Sequence, residues 1–282
     1  MKPFSREVTY KAWLEWASRE LEKAGVESAY LSAQLILVEV TGETRSSILA
    51  HPERSLDESQ GSRAAGLLHR RLLHEPIAYL LGWKEFRNLR IKVRSGVLIP
   101  RPETEELIDL AVELAPWANR ILDAGTGSGC IPLSLAEFFP HAALFGCDLS
   151  PFALSCAREN DIEKRVNWFR SVWLGPVASA SMDLVVSNPP YLTVSEMSTL
   201  EPQVAQYEPL LALNGGFDGC DCYRLLIPQT RRVLKKGGVF LMECSPSTAS
   251  GVTSIAQAED FGEIRTHLDM AGRGRFVSGI RR

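Results

Sequence analysis

Ile121-Leu122-Asp123-Ala124-Gly125-Thr126-Gly127-Ser128-Gly129 reads as an apolar strand that runs straight into a glycine-rich turn. The backbone has to bend sharply there, and glycines keep Cβ atoms away from both the bend and an approaching ligand. A loop of this kind after the first strand is where doubly wound α/β sheets bind nucleotides. The lysine of a triphosphate-binding loop is missing, since Cys130 and Ile131 follow Gly129. Taken alone, the glycine loop leaves dinucleotides and other adenosine ligands in competition.

Downstream the chain alternates regularly. Strands are expected at Arg120–Ala124, Ala142–Asp148, Val166–Arg170, Met182–Ser187, Gly238–Glu243, Ile264–Leu268 and Arg275–Ser278. Helices should fill the intervals at about 130–139, 151–160, 221–234 and 248–259. Nearly continuous apolar strands separated by helices predict a mostly parallel α/β sheet covered on both faces. Asp148 closes the strand one βαβ unit beyond the glycine loop, where a carboxylate can accept both ribose hydroxyls of an adenosine. The bland alternative is a helix cap ahead of Pro151.

Upstream the pattern differs. Residues 1 to 84 read as helices only, with Tyr10, Trp13, Leu14, Ala17 and Leu21 on one helical face. A second helix would be capped by Ser28, carry Leu31, Leu35 and Val38, and end at Gly42. A third runs through Ala64, Leu67, Leu68 and Leu72. From Glu85 the period becomes two: Leu89, Ile91 and Val93 alternate with Arg90, Lys92 and Arg94. Ser95-Gly96 then supplies a turn, and Val97-Leu98-Ile99 returns as the second strand of a hairpin over 85–101. After Pro102 a helix carries Leu107, Ile108, Ala111 and Leu114.

The 282 residues are 45% apolar and 23% charged with a net charge of -3, so no global field recruits nucleic acid or acidic lipid. No apolar run is long enough to cross a bilayer, and the start Met1-Lys2-Pro3-Phe4-Ser5-Arg6-Glu7 has no signal-peptide core, so a cytoplasmic location is expected. Six cysteines without framework spacing and five scattered histidines read as reduced thiols and ordinary surface or interior groups, with no metal site.

The remaining motif is Asn188-Pro189-Pro190-Tyr191, at the carboxyl end of the buried strand Met182–Ser187. Two prolines fix two φ angles and leave the preceding carbonyls rigid and free to accept. The Asn188 side chain and the Pro189 carbonyl can together accept both hydrogens of a planar –NH2 group. That turns the nitrogen lone pair toward a methyl sulfonium, with the Tyr191 ring packed on the flat substrate. No strong base is needed, because the proton can leave after transfer. NAD drops out at this point.

With Leu98-Ile99-Pro100-Arg101-Pro102-Glu103-Thr104-Glu105, the loop at Asp123–Gly129, Asp148, Asn188–Tyr191, Glu208-Pro209, Gly215-Gly216-Phe217-Asp218-Gly219 and Asp269-Met270-Ala271-Gly272-Arg273, the chain resembles the release-factor glutamine N5-methyltransferases (the HemK/PrmC type) over nearly its whole length. The resemblance implies a Rossmann-like seven-stranded methyltransferase domain at 102–282. It also implies a small release-factor-binding helical bundle at 1–84 and a β-hairpin linker at 85–101. S-adenosyl-L-methionine would be held by Gly125, Thr126, Gly127, Ser128, Gly129, Asp148 and Trp173, with Asn188 at its edge. Asn188, Pro189, Pro190 and Tyr191 would bind the substrate and carry the catalysis. That substrate would be the glutamine of the Gly-Gly-Gln loop of class-1 peptide-chain release factors, with no direct nucleic-acid or membrane partner. Val172 stands where the family often has an acidic residue, next to Trp173. The competing readings are a ribosomal-protein glutamine methyltransferase and a nucleic-acid adenine N6-methyltransferase. The second would have to extrude a base and track phosphates, and no target-recognition domain is visible.

Overall fold

The computed structural model of the protein describes residues 8–282. The opening segment Met1 to Glu7, read above for the absence of a leader, lies outside them. The chain forms two compact units: the part up to Gly82 together with Pro202–Tyr207, and Trp83–Glu201 together with Glu208–Arg282.

The first unit contains β1 (Val8–Thr9), α1 (Tyr10–Lys23), α2 (Ala29–Thr41), α3 (Arg45–Ala50), β2 (Ser55–Leu56), α4 (Glu58–Leu72) and α5 (Ile77–Leu81). Thr9 caps α1 by accepting from Ala12 N, and Tyr10, Trp13, Leu14, Ala17 and Leu21 are buried on one face as their spacing requires. In α2 the helix was legible but its buried face was not. Ala33, Ile36, Leu37 and Val40 face the core, Leu31 is exposed, and Leu35 and Val38 are only partly covered. That helix is apolar on nearly every side, so packing and not periodicity selects the face.

Ser28 stands at its start in a left-handed conformation without a side-chain cap, while Gly42 (φ 72°) ends it with its N–H on Val38 O. Asp57 and Gln60 close a reciprocal capping box on α4. The expectation of helices alone is corrected by the two-residue ladder Val8↔Leu56 and Thr9↔Ser55. The segment Pro202–Tyr207 is fastened to this unit by Arg71 Nη2 donating to Gln203 Oε1 and Tyr207 OH donating to Leu73 O.

The second unit opens with the hairpin β3 (Trp83–Phe86) and β4 (Leu89–Lys92), which turns at Arg87 (φ 51°) and Asn88. The expected hairpin lay one strand later. Val97–Ile99 forms no strand; it runs as an irregular strap, with Val97 N donating to Arg94 O and Ile99 N held by Glu208. The basic face of β4 is used internally: Arg90 stacks 3.7 Å over the Trp83 ring, and Arg94 pairs with Glu159 at 2.9 Å.

The succession continues with α6 (Thr104–Leu114), β5 (Arg120–Ala124), α7 (Cys130–Phe138), β6 (Ala143–Asp148), α8 (Pro151–Asn160), β7 (Val166–Arg170) and β8 (Met182–Ser187). After α9 (Val194–Met197), α10 (Pro202–Tyr207, in the first unit) and the 3₁₀ turn Leu210–Ala212 come α11 (Asp221–Val233), β9 (Leu234–Glu243), α12 (Ala249–Ala258), β10 (Phe261–Leu268) and β11 (Gly274–Arg281).

Seven of these strands form one Rossmann-like sheet in the order β10-β11-β9-β8-β5-β6-β7. The five strands β9 to β7 run parallel, and β11 lies antiparallel between β9 and β10. The sequence order reverses at β5, whose neighbours are β6 on one side and β8 on the other. Open α/β sheets leave a crevice at such a switch point, outside the carboxyl ends of the strands. Among the described residues no helix is long and apolar enough to cross a membrane, and no group of three His, Cys, Asp or Glu side chains could hold a metal. All six cysteines are free.

Candidate active site

A cavity of about 330 Å³ opens at that switch point. Gly125, Thr126, Gly127, Ser128, Asp148, Trp173, Asn188 and Pro190 all line it, although the first and last are 65 positions apart in the chain. The register explains their meeting. Asp123 pairs with Val186 across β5 and β8, so Gly125 and Asn188 leave the sheet side by side. Ser187 Oγ donates to Ala124 O at 2.6 Å and ties the two strand ends together.

The glycine loop is held from behind. Gly125 N and Thr126 N both donate to Cys147 O at 2.9 Å, which bends the loop over the end of β6. Gly125 (φ 74°) and Gly127 (φ 57°) adopt left-handed conformations, and a Cβ on Gly127 would meet nothing within 4 Å. Gly129 has a different use. It starts α7 (φ 83°), does not line the cavity, and a Cβ there would stand 2.8 Å from the Trp168 ring. Its small size serves the protein's own packing, as does Gly146 beneath the same ring.

Asp148 accepts Gly127 N–H at 2.9 Å on one oxygen and Ser150 N–H at 2.8 Å on the other. Its carboxylate is thereby oriented with a further lone pair on each oxygen. Capping of α8 falls to Ser150, whose Oγ accepts from Ala153 N, so the helix-cap alternative for Asp148 is not what the fold uses. Burial raises the Asp148 pKa, and the Ser150 and Gly127 amides oppose it. Trp173 (φ 52°) sits against Gly125, with its ring 3.5 Å from where a Cβ would be, and the exposed Val172 lies beside it on the cavity wall. Beneath the loop Asp123 is fully buried, and neither of its oxygens meets a hydrogen-bond donor. Burial pushes its carboxyl up to about 7, the Thr126 hydroxyl works against this, and the charge of Asp148 adds to it.

On the other side of the crevice, Asn188 Nδ2 donates to Thr104 Oγ1 at 3.0 Å, and Thr104 Oγ1 donates to Glu243 Oε2 at 2.7 Å. No donor among the described residues meets Asn188 Oδ1 or the Pro189 carbonyl. Pro189 and Tyr191 do not themselves line the cavity. Tyr191 donates to Glu243 Oε1 at 3.3 Å and packs on the core, so its ring braces the turn instead of facing the cavity. Burial raises the Tyr191 pKa. Glu243 is fully buried and its carboxyl is pushed up to about 7, against the opposing effects of the Thr104 hydrogen bond, Arg275 and Tyr191.

Known proteins match this chain along its length. Residues 12–82 match the family model described as the PrmC N-terminal domain, and residues 107–217 match the methyltransferase small domain. The release factor glutamine methyltransferase of Caulobacter vibrioides is 38% identical, with 96% of each chain covered. That of Geobacter sulfurreducens is 36% identical, again with 96% of each covered. The chain belongs to the release factor glutamine methyltransferase family. Among solved structures, a methyltransferase from Pyrococcus furiosus aligns with a TM-score of 0.49 and 15% identity, covering 78% of this chain and 98% of that one.

The runs that mark this family in the sequence have structural work in the site. From Pro100-Arg101-Pro102-Glu103-Thr104-Glu105, Arg101 pairs with the buried Glu208 at 2.7 Å, and Glu208 also accepts Ile99 N–H at 3.1 Å. The strap at 96–101 and the 209–214 segment, both walls of the cavity, are thus pinned by one carboxylate. The Gly215–Gly219 loop braces the turn after Asn188. Leu192 N donates to Leu213 O, and Gly215 N donates to Leu192 O. A Cβ on Gly215 or Gly219 would stand 2.8 Å or 2.5 Å from the Tyr191 backbone. Asp269 folds its own turn by accepting Ala271 N, Arg273 N and the Arg273 guanidinium. Three residues at the site were not singled out from the sequence: Thr104, Asp123 and Glu243. Two sat in plain view inside quoted runs, and Glu243 ended an expected strand. Only their three-dimensional neighbours distinguish them from a helix start and two strand ends.

Proposed function

We propose that this methyltransferase uses S-adenosylmethionine to methylate the side-chain amide nitrogen of the glutamine in the Gly-Gly-Gln loop of class-1 peptide-chain release factors. The observation that carries the reading is the unpartnered acceptor Asn188 Oδ1 on the cavity wall beside an open glycine loop, with the unpartnered Pro189 carbonyl next to it in the chain. Two acceptors on a rigid turn suit the two hydrogens of one planar –NH2.

The residues present fit the cofactor. Gly125 to Ser128 leave backbone open to a close approach, Asp148 keeps acceptors for two ribose hydroxyls, and Trp173, Leu149 and Val172 offer apolar wall to an adenine. The unpartnered, buried Asp123 is a further acceptor under the loop. When bound, S-adenosylmethionine supplies an electrophilic methyl group. The chain's own task is to hold the amide flat with its nitrogen facing that methyl, and to support the positive charge that develops on nitrogen. The proton is lost from the positively charged nitrogen to water, and no side chain is needed as a strong base. The helical unit within residues 1–84, joined by the 85–101 segment, is assigned to release-factor binding, consistent with its match to the PrmC N-terminal domain. The catalytic unit is then Trp83–Glu201 together with Glu208–Arg282.

Incubation of the purified protein with radiolabelled S-adenosylmethionine tests this directly. A release factor should be labelled, and the same factor with its motif glutamine replaced should not. Labelling of ribosomes alone would favour a ribosomal-protein substrate, and labelling of DNA an adenine one.

A further inference from the structure

The Asn188 amide can face the cavity with either end, and the two ends have opposite effects. Oδ1 outward accepts a substrate N–H; Nδ2 outward would set donor against donor. Nothing in the Asn-Pro-Pro-Tyr turn itself selects between them, since the two rotamers differ only by a half-turn of χ2.

The selection comes from α6. Thr104 opens that helix, 84 residues from Asn188 in sequence, and is 2% exposed. A hydroxyl has one hydrogen. With Glu243 ionised, that of Thr104 is given to Oε2 at 2.7 Å, so only oxygen lone pairs face Asn188, 3.0 Å away. The Asn188 amide therefore has to direct Nδ2 inward and Oδ1 outward. Glu243 is held in turn, by the sheet and by Tyr191 OH at 3.3 Å, and it ends β9 where Met242 pairs with Ser187, one residue before Asn188. Arg275 and Glu103 are the other charged groups that face its carboxyl, one opposing and one favouring its protonation. Tyr223 OH donates to its backbone carbonyl.

We propose that Thr104 is a positioning residue: with its hydrogen committed to Glu243, it locks the Asn188 amide with the carbonyl oxygen toward the substrate. This rests on the reading of Asn188 as the acceptor of the substrate –NH2. Removing the hydroxyl leaves the buried threonine volume largely intact in Thr104→Val but frees the amide to rotate, whereas Thr104→Ser retains the relay.

The test compares Thr104→Val, Thr104→Ser and Asn188→Ala, each with release factor and S-adenosylmethionine. Thr104→Val should lower kcat by about tenfold or more with cofactor Kd within about twofold of wild type, and Thr104→Ser should recover most of that loss. The side-chain amide signal of Asn188, identified by its disappearance in Asn188→Ala, should shift and exchange faster in Thr104→Val but not in Thr104→Ser. An unimpaired Thr104→Val beside an impaired Asn188→Ala would overturn the lock and leave the role of Asn188 standing. Equal losses in Thr104→Val and Thr104→Ser would also overturn it, by making shape rather than the hydroxyl responsible. An unimpaired Asn188→Ala would remove both readings at once.

Discussion

At the scale of single residues the site divides its labour between two carboxyl-terminal strand ends. Asp148 is oriented by two backbone amides and lies on the glycine-loop side, whereas Asn188 is oriented by a side-chain relay and lies on the other. Their substitutions should therefore separate. Asn188→Ala is expected to lower turnover by about 10²-fold while leaving cofactor affinity nearly unchanged, because the lost contact orients the acceptor amide. Asp148→Ala should raise the cofactor dissociation constant most, with the smaller effect on turnover at saturation. Calorimetric titration of cofactor alongside single-turnover labelling separates the two, and a collapse of cofactor binding in Asn188→Ala would contradict the assignment. Burial pushes the thiols of Cys130 and Cys147 up to about 12, away from the thiolate form at neutral pH.

At the scale of elements, the turn at Asn188–Tyr191 is braced by what surrounds it as well as by its two prolines. The Gly215–Gly219 loop touches the Tyr191 backbone so closely that Gly215→Ala, meeting backbone atoms at 2.8 Å, forces one or the other to move. We expect it to destabilise the protein by about 1–3 kcal/mol and to lower turnover with it, measured by urea unfolding and by labelling. A variant as stable and active as wild type would show that the loop is not a brace. Glu208→Ala removes the partner of Arg101 and of Ile99 N–H at a site where the carboxylate is 2% exposed. A loss of about 2–4 kcal/mol in the same unfolding measurement is expected.

The sequence reading was strongest for elements of this unit. Arg120–Ala124, Val166–Arg170 and Met182–Ser187 appear with the expected bounds; Met182–Ser187 is buried at every position, as a central parallel strand should be, whereas the edge strand Val166–Arg170 leaves Asn167 and Arg170 exposed. It was weakest where local pattern is degenerate. The true partner of Leu89–Lys92 is Trp83–Phe86, whose alternation Lys84 and Glu85 obscure, and the all-round apolar α2 does not announce its buried face.

At the scale of the whole molecule, two buried carboxyls couple stability to pH. Asp123 and Glu243 are raised from 3.8 and 4.5 to about 7, in each case chiefly by burial. Between roughly pH 4 and 7 the folded protein thus holds protons that the unfolded chain has already released, and stability falls as pH rises through that window. Displacements of this size correspond to roughly 3–4 kcal/mol for each carboxyl. Asp269, lowered by the amides and guanidinium of Arg273, acts the other way and loses its contribution only as pH falls below the ordinary carboxylate range. Thermal melting of the cofactor-free protein should give a lower midpoint at pH 8 than at pH 5, with a shallower decline in Glu243→Gln. A midpoint that rose over the same interval would mean that both carboxyls are ionised in the fold.

The amino-acid sequence by itself determined the α/β class, the family, and the two motifs that meet at the crevice. Strand hydrophobicity, a glycine-rich turn and an Asn-Pro-Pro-Tyr run are local properties of the chain. Only the tertiary structure brought Thr104 and Glu243 together behind Asn188, put Asp123 beneath the glycine loop, and set Gly129 against Trp168. Each of those depends on atoms from strands and helices far apart in sequence. A hydrogen bond or a close packing contact exists only once register and burial have brought its two partners together.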